Sequence, residues 1–303
     1  MTVPRAVAVV GATASGKSAL AHAVALESGG DVEILCVDAM SVYRGMDLAT
    51  AKPSRREREL VAYHLLDLVD ASDEYSLEEF QRAARRAAKE VRARGHRVLY
   101  VGGTGLYGRA VIDDLEIPGR YPTIRATLDA RAASELPALY AELTALDPLA
   151  ASRMEPTNER RILRALEVTL GAGRPFSSFG AGLSAYPPST VAQVGLRVEL
   201  AELDRRVEAR FRRWLDEGLL DEIRNLTANP AGISKTARQA VGYRQLLAHV
   251  EDGVDLETCV RDALIQSRRL ARRQRSWFER DPRIEWFDDP RAAHERVATL
   301  LSL

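Results

Sequence analysis

Gly11-Ala12-Thr13-Ala14-Ser15-Gly16-Lys17-Ser18 fits the pattern G-x-x-x-x-G-K-[ST]. Consecutive backbone N–H groups in such a loop form a nest for an anion, and the helix start behind it adds positive potential. Lys17 supplies a point charge, and the Ser18 hydroxyl is of the type that holds Mg2+ beside a bound phosphate. The loop points to a diphosphate or triphosphate, as in nucleotide-binding, ATP-binding proteins, and to nothing narrower. A chance glycine-rich turn is disfavoured by context, since the apolar run 6–10 (AVAVV) reads as a buried strand before it and a helical pattern opens at Lys17. Asp38 ends a second apolar run, 33–37 (EILCV). Ligands of open α/β sheets bind beyond the C-terminal ends of strands, so its carboxylate should face the phosphate loop. Metal ligand, general base and cap of the next turn all remain open for it. Gly102-Gly103-Thr104-Gly105 closes a third run, 97–101 (RVLYV). Its glycines would admit a ligand close to the backbone and Thr104 offers a hydroxyl, although an ordinary strand-to-helix turn has the same composition.

The elements that must position these groups follow from periodicity. Residues 76–94 (SLEEFQRAARRAAKEVRAR) read as a helix with Ser76 as N-cap, Glu79 at the capping-box position and Gly95 as the stop. Strands alternating with helices imply a mainly parallel sheet covered on both faces. From about 120 to 175 the chain is helical with no strand candidate; 175–190 is a Pro/Gly/Ser-rich loop; 191–200 resumes as a strand, and long helices follow. The expected fold is therefore α/β, a P-loop NTPase-like parallel-sheet core with an inserted helical domain. The core comprises residues 1–118 and 191–303, with the C-terminal helices, and the insertion spans 119–190.

At 303 residues, 46% hydrophobic, the chain can bury a sizeable core. No run of about 18 apolar residues could span a membrane. The apolar start runs straight into the phosphate loop and reads as a first strand instead of a leader, which implies a cytoplasmic protein. Cys36 and Cys259 stand far apart with no metal-binding spacing, so free buried thiols are expected. Net charge is zero, yet Arg261–Arg280 holds seven Arg against two acids. On a helix Arg268, Arg272 and Arg275 share one face. RNA contact and a merely solvated face remain equally open, because Lys occurs only at 17, 52, 89 and 235 and nearly every basic residue is Arg.

Beyond the phosphate loop, an ordered set of segments resembles the tRNA dimethylallyltransferase (tRNA isopentenyltransferase) family of bacterial type. They are GATASGKS (11–18), VDAMSVYRGMDLATAKP (37–53), YHLLD (63–67), VGGTGLY (101–107), NERRILRALEV (158–168) and RQAVGYRQ (238–245), and they span nearly the whole chain. The resemblance implies transfer of a dimethylallyl group from dimethylallyl diphosphate to N6 of the adenosine on the 3′ side of the anticodon, in tRNAs reading codons that start with U. It implies that Gly11 through Ser18 hold the donor's diphosphate instead of ATP, with Mg2+ on Ser18. It implies Asp38 as the catalytic carboxylate, Thr104 near the reacting adenine, and Arg210, in RRVEARF, as the clamp on the diphosphate. The residues expected to meet the anticodon stem-loop are Asp38, Ala39, Met40, Ser41, Thr104, Arg125, Arg160, Arg161, Arg164, Arg238, Gly242, Tyr243, Arg244 and Gln245; Gln239 is less securely placed. A monomer is expected, and no membrane partner.

One departure stands out. Many members of the family carry Ser directly after the catalytic Asp, whereas this chain has Ala39, with Met40 and Ser41 following. That hydroxyl is not essential here unless Ser41 replaces it. Three other activities fit parts of the pattern. A small-molecule kinase would use ATP at the same loop, with Arg120, Arg125 or the 160–164 cluster as a lid. A nucleotide-gated RNA-binding module would leave Asp38 and Thr104 without a purpose. A prenyltransferase acting on free adenine nucleotides would leave the insertion and residues 238–245 unexplained.

Overall fold

The computed structural model describes residues 6–180 and 182–303. In chain order the elements are β1 (Ala6–Val10), α1 (Lys17–Glu27), β2 (Val32–Cys36), α2 (Arg55–Leu60), β3 (Tyr63–His64), α3 (Leu77–Ala93), β4 (Arg97–Gly102) and α4 (Gly105–Ile112). There follow α5 (Pro122–Leu146), α6 (Pro148–Ala151) and α7 (Glu159–Ala172), then β5 (Ala192–Leu196), α8 (Leu200–Asp216), α9 (Leu219–Ala228), α10 (Tyr243–Asp252), α11 (Leu256–Phe278), β6 (Ile284–Phe287) and α12 (Pro290–Leu301).

Six strands form one sheet in the order β3-β2-β4-β1-β5-β6, every neighbouring pair parallel. Parallel strands need crossovers, which cover both faces with helices. All five residues of β1 are accordingly buried. Val10, Leu35, Tyr100 and Phe80 pack on one face with Phe278 of α11. Val7, Val9, Ile34 and Leu99 pack on the other with α1 and α12. The strand order sets which loops share a rim. β2, β4 and β1 lie side by side, so the loops that leave their C-terminal ends emerge on one rim. Those loops are the phosphate loop, Asp38–Ser41 and Gly103–Thr104.

Local signals hold where they were clear. Ser76 accepts from Glu79 N–H at 3.2 Å while the Glu79 carboxylate accepts from Ser76 N–H at 2.8 Å, a reciprocal box that fixes the start of α3. The strand expected over 191–200 ends at Leu196, and Glu199 already stands at the N-cap position of α8. β3 and β6 lie where the sequence pattern marks no strand. The first 5 residues and Ala181, inside the expected 175–190 loop, lie outside the described residues.

The chain divides into two compact units: one runs to Asp113 and resumes over Pro188–Leu303, the other is Asp114–Pro187. The smaller unit contains α5, α6 and α7 around Leu128, Leu139, Leu143, Ile162 and Leu166. α5 breaks at Glu135, two residues before Pro137, whose ring removes a helical N–H. Among the described residues no helix is long and apolar enough to cross a membrane. Cys259 is buried and Cys36 partly buried, both as free thiols; burial, then Asp38, pushes the Cys36 thiol up to about 12.

Candidate active site

Pairing of β2 with β4 continues past Cys36, because Val37 N–H donates to Val101 O at 2.7 Å. That extension sets Asp38 beside the loop after β4. Asp38 Oδ1 accepts from Met40 N–H at 2.8 Å and Ser41 N–H at 3.3 Å. Oδ2 accepts from the Thr104 hydroxyl at 3.1 Å, and Ala39 N–H donates back to Thr104 Oγ1 at 3.4 Å. Oδ1 thus caps the turn, while Oδ2 has one protein donor and keeps capacity to take a proton. Ala39 contributes only its amide. Ser41 Oγ is buried with no hydrogen-bond partner among the described residues, so it does not reach the carboxylate.

The phosphate loop carries the positive charge. Gly16 occupies the N-cap of α1, and the Ser18 side chain is exposed at the start of the helix. Gly11 and Ala12 are buried beneath the loop, Thr13 and Ala14 partly so; Ser15 is 2% exposed with its hydroxyl unpartnered. Lys17 Nζ donates to Ala12 O at 3.1 Å. From α8, Arg210 reaches the same loop: its Nη2 donates to Thr13 Oγ1 at 2.6 Å and its guanidinium lies 4.7 Å from the Trp214 ring centre. Arg210 Nε is buried without an acceptor among the described residues. Burial, then repulsion from Arg210, pulls the Lys17 ammonium down to about 8, against an opposing effect of Asp38. Burial, then Arg213, pulls Arg210 down to about 10, which leaves it charged at neutral pH. Two desolvated cations and an orphan N–H donor around a nest of amides form a site for a multiply charged anion.

Linkage gives this arrangement a pH signature of two opposite signs. Between pH 8 and 10.5 the unfolded chain holds more protons on Lys17 than the folded one, so the ligand-free protein gains stability from this group as pH rises. Binding of a diphosphate needs the charged form. Its affinity should therefore fall about tenfold per pH unit above 8, with proton uptake on binding. Calorimetry of pyrophosphate binding in buffers of different ionisation enthalpy would expose that uptake; a pH-independent affinity across this window would remove Lys17 from the anion site.

A second layer holds the loop after Asp38. Lys52, its side chain 1% exposed, donates to Tyr43 O at 2.6 Å, Asp47 at 2.7 Å and Asp67 at 2.6 Å. Glu222 on α9 accepts from Asp47 N–H and Leu48 N–H, each at 3.1 Å, and from the Tyr243 hydroxyl. Burial raises the Glu222 carboxyl, and the bond from Tyr243 opposes that rise. Neither residue stood out in the sequence, except that Lys52 is one of four lysines in an arginine-rich chain.

A family model described as IPP transferase matches residues 41–281. The chain belongs to the IPP transferase family. A protein of Acidothermus cellulolyticus named tRNA dimethylallyltransferase is 46% identical over 98% of this chain and 93% of its own. The structure of the full-length tRNA isopentenylpyrophosphate transferase from Bacillus halodurans superposes with a TM-score of 0.68 at 32% identity, covering 99% of this chain and 97% of that one. A eukaryotic dimethylallyltransferase, described as acting on tRNA, shares the fold, with a TM-score of 0.78 at 24% identity over 97% of this chain and 77% of that one. The match over 41–281 begins after the phosphate loop and Asp38, so their grouping in this IPP transferase rests on the geometry above.

The residues expected to meet tRNA are placed unevenly. In the smaller unit Arg160 and Arg161 are exposed, without an ion-pair partner among the described residues. Arg164 instead pairs with Glu167 at 2.8 Å and Pro118 O at 2.8 Å, and Arg125 pairs with Asp129 at 2.8 Å. In the larger unit Tyr243 is 1% and Gln245 7% exposed. The Gln245 carboxamide accepts from the N–H of buried Gly242 at 3.0 Å. Arg238 pairs with Glu251, while Gln239 and Arg244 of this segment are exposed, Arg244 without an ion pair among the described residues. The Arg-rich face of α11 is largely neutralised by α8, through Arg268–Glu208 at 2.9 Å and Arg272–Asp204 at 2.7 Å, with Arg275–Glu279 at 2.8 Å within its own helix.

Proposed function

We infer that this IPP transferase is a tRNA dimethylallyltransferase, and we propose that its acceptor is N6 of the adenosine 3′-adjacent to the anticodon in tRNAs reading codons that start with U. One observation carries the catalytic reading: a carboxylate oriented by Thr104 and two backbone amides shares a sheet rim with an anion nest flanked by Lys17 and Arg210. The amine of adenine is a poor nucleophile, because its lone pair is delocalised into the ring. As the N6–C1 bond forms, the C1–O bond of dimethylallyl diphosphate breaks and its electron pair leaves on the diphosphate. The loop amides, Lys17 and Arg210 stabilise that charge. Asp38 Oδ2 takes the proton from N6. An anticodon-loop base can be extracted from its stack at low cost, which suits an active site that needs the base alone.

Mg2+ fits this site as a companion of the diphosphate. The described residues contain no cluster of three metal-binding side chains, whereas Mg2+ commonly binds substrate phosphates and waters with few protein ligands. The exposed Ser18 hydroxyl would hold it, and bound there it would neutralise part of the leaving group's charge. The proposal places the enzyme in the cytoplasm, where unmodified tRNA is, acting as a monomer.

Arg160 and Arg161 are exposed cations of the smaller unit with no ion pair among the described residues, and they are our choice for phosphate contacts. The double charge reversal Arg160→Glu/Arg161→Glu should weaken tRNA binding, make its salt dependence shallower by about 1–2 in log–log slope, and leave dimethylallyl diphosphate affinity unchanged. Filter binding across a salt series measures this; an unchanged slope and affinity would remove both residues from the RNA surface.

A further inference from the structure

Gln274, on the Arg-rich helix α11, sits at the junction of the two loops that frame the site. Its Oε1 accepts from Thr13 N–H at 2.7 Å. Only an oxygen can accept there, so the bond fixes which end of the carboxamide is which. Nε2 therefore points away from Thr13. It lies against Gly103, where an added Cβ would be 2.8 Å from it, and it has no acceptor among the described residues. One turn on, Trp277 presses on Gly105 so closely that a Cβ there would meet its Cδ1 at 2.1 Å, which seats α11 firmly against this loop. Thr13 thus receives two neighbours: Gln274 on its amide and Arg210 on its hydroxyl. Each of these neighbours carries an N–H donor with no acceptor among the described residues, Gln274 Nε2 and the buried Arg210 Nε.

We propose that Gln274 is a further catalytic residue of the transfer inferred above, donating from Nε2 to the α-phosphate oxygens of the leaving diphosphate. The α-end follows from position. Nε2 abuts Gly103, the next residue is Thr104, and Thr104 holds Asp38, which must lie at the attacking amine. The carbon under attack stands between that amine and the α-phosphate. Negative charge grows on the α-phosphate as the C–O bond breaks, so a donor aimed there contributes more in the transition state than in the bound ground state.

The test uses the full-length enzyme with dimethylallyl diphosphate, unmodified tRNA and inorganic pyrophosphate. Gln274→Met removes both bonds at similar volume. Gln274→Glu keeps an oxygen for Thr13 N–H but replaces the donor by a like charge. Both variants should melt near wild type and lose about 10–100-fold in kcat, with tRNA KM within about twofold. Gln274→Glu should also bind pyrophosphate more weakly than Gln274→Met. If Gln274→Glu retains wild-type kcat while Gln274→Met is impaired, the side chain is only a brace for Thr13 and the proposal is wrong. A raised tRNA KM with unchanged kcat and pyrophosphate affinity would place Nε2 on the base and equally overturn it. A wild-type enzyme that transfers nothing would instead refute the function on which this inference rests.

Discussion

Asp38→Asn should leave the donor and tRNA bound and slow transfer roughly 10²–10⁴-fold, the usual effect of losing a general base. The amide is nearly isosteric. Its oxygen can still accept from Met40 and Ser41, which hold Oδ1 at 2.8 and 3.3 Å, so the turn survives. At the other end the amide nitrogen donates to Thr104 Oγ1, where the native carboxylate accepts at 3.1 Å. What disappears is the capacity to take a proton. Single-turnover kinetics with saturating donor and tRNA separate the chemical step from binding. Near-wild-type turnover would reduce Asp38 to the cap of its own turn, the alternative its position in the sequence left open.

Lys17→Ala should weaken dimethylallyl diphosphate binding roughly 10²–10³-fold, the scale of removing one partner from a desolvated, hydrogen-bonded charge contact. The ligand-free protein should be no less stable than wild type. Burial and Arg210 already disfavour the Lys17 ammonium, pulling it to about 8, so its removal relieves a cost in the empty site. Thermal melting with and without pyrophosphate checks both halves: an unchanged or raised melting temperature alone, and a lost ligand-induced increase. A variant that binds the donor normally would move the donor away from the phosphate loop.

Much of this site is legible in the sequence because its parts are local. The strand–loop–helix around Gly11–Ser18 and the carboxylate at the end of β2 each occupy a few consecutive residues. Long-range partners leave no such mark. Glu222 looks like an ordinary acid of α9, and only the fold brings it to the amides of Asp47 and Leu48, some 174 positions earlier. The cationic stripe Arg268–Arg272 leaves RNA contact and a solvated face equally open in the sequence, and only the fold sets Asp204 and Glu208 of α8 against it. In RQAVGYRQ the resemblance suggests RNA contact for several side chains, but Tyr243 and Gln245 turn inward, and Tyr243 braces Glu222. β3, two residues long, is too short to show alternation, and β6 (IEWF) is short and carries a charge at its second position.

The most direct measurement is incubation of the purified protein with dimethylallyl diphosphate and unmodified tRNA, followed by mass analysis of the released nucleosides, with a parallel arm containing ATP in place of the donor. The account predicts an adenosine heavier by one C5H8 unit, located beside the anticodon, with stoichiometric pyrophosphate release, and no turnover of ATP. ATP hydrolysis or phosphoryl transfer with no modified adenosine would contradict it.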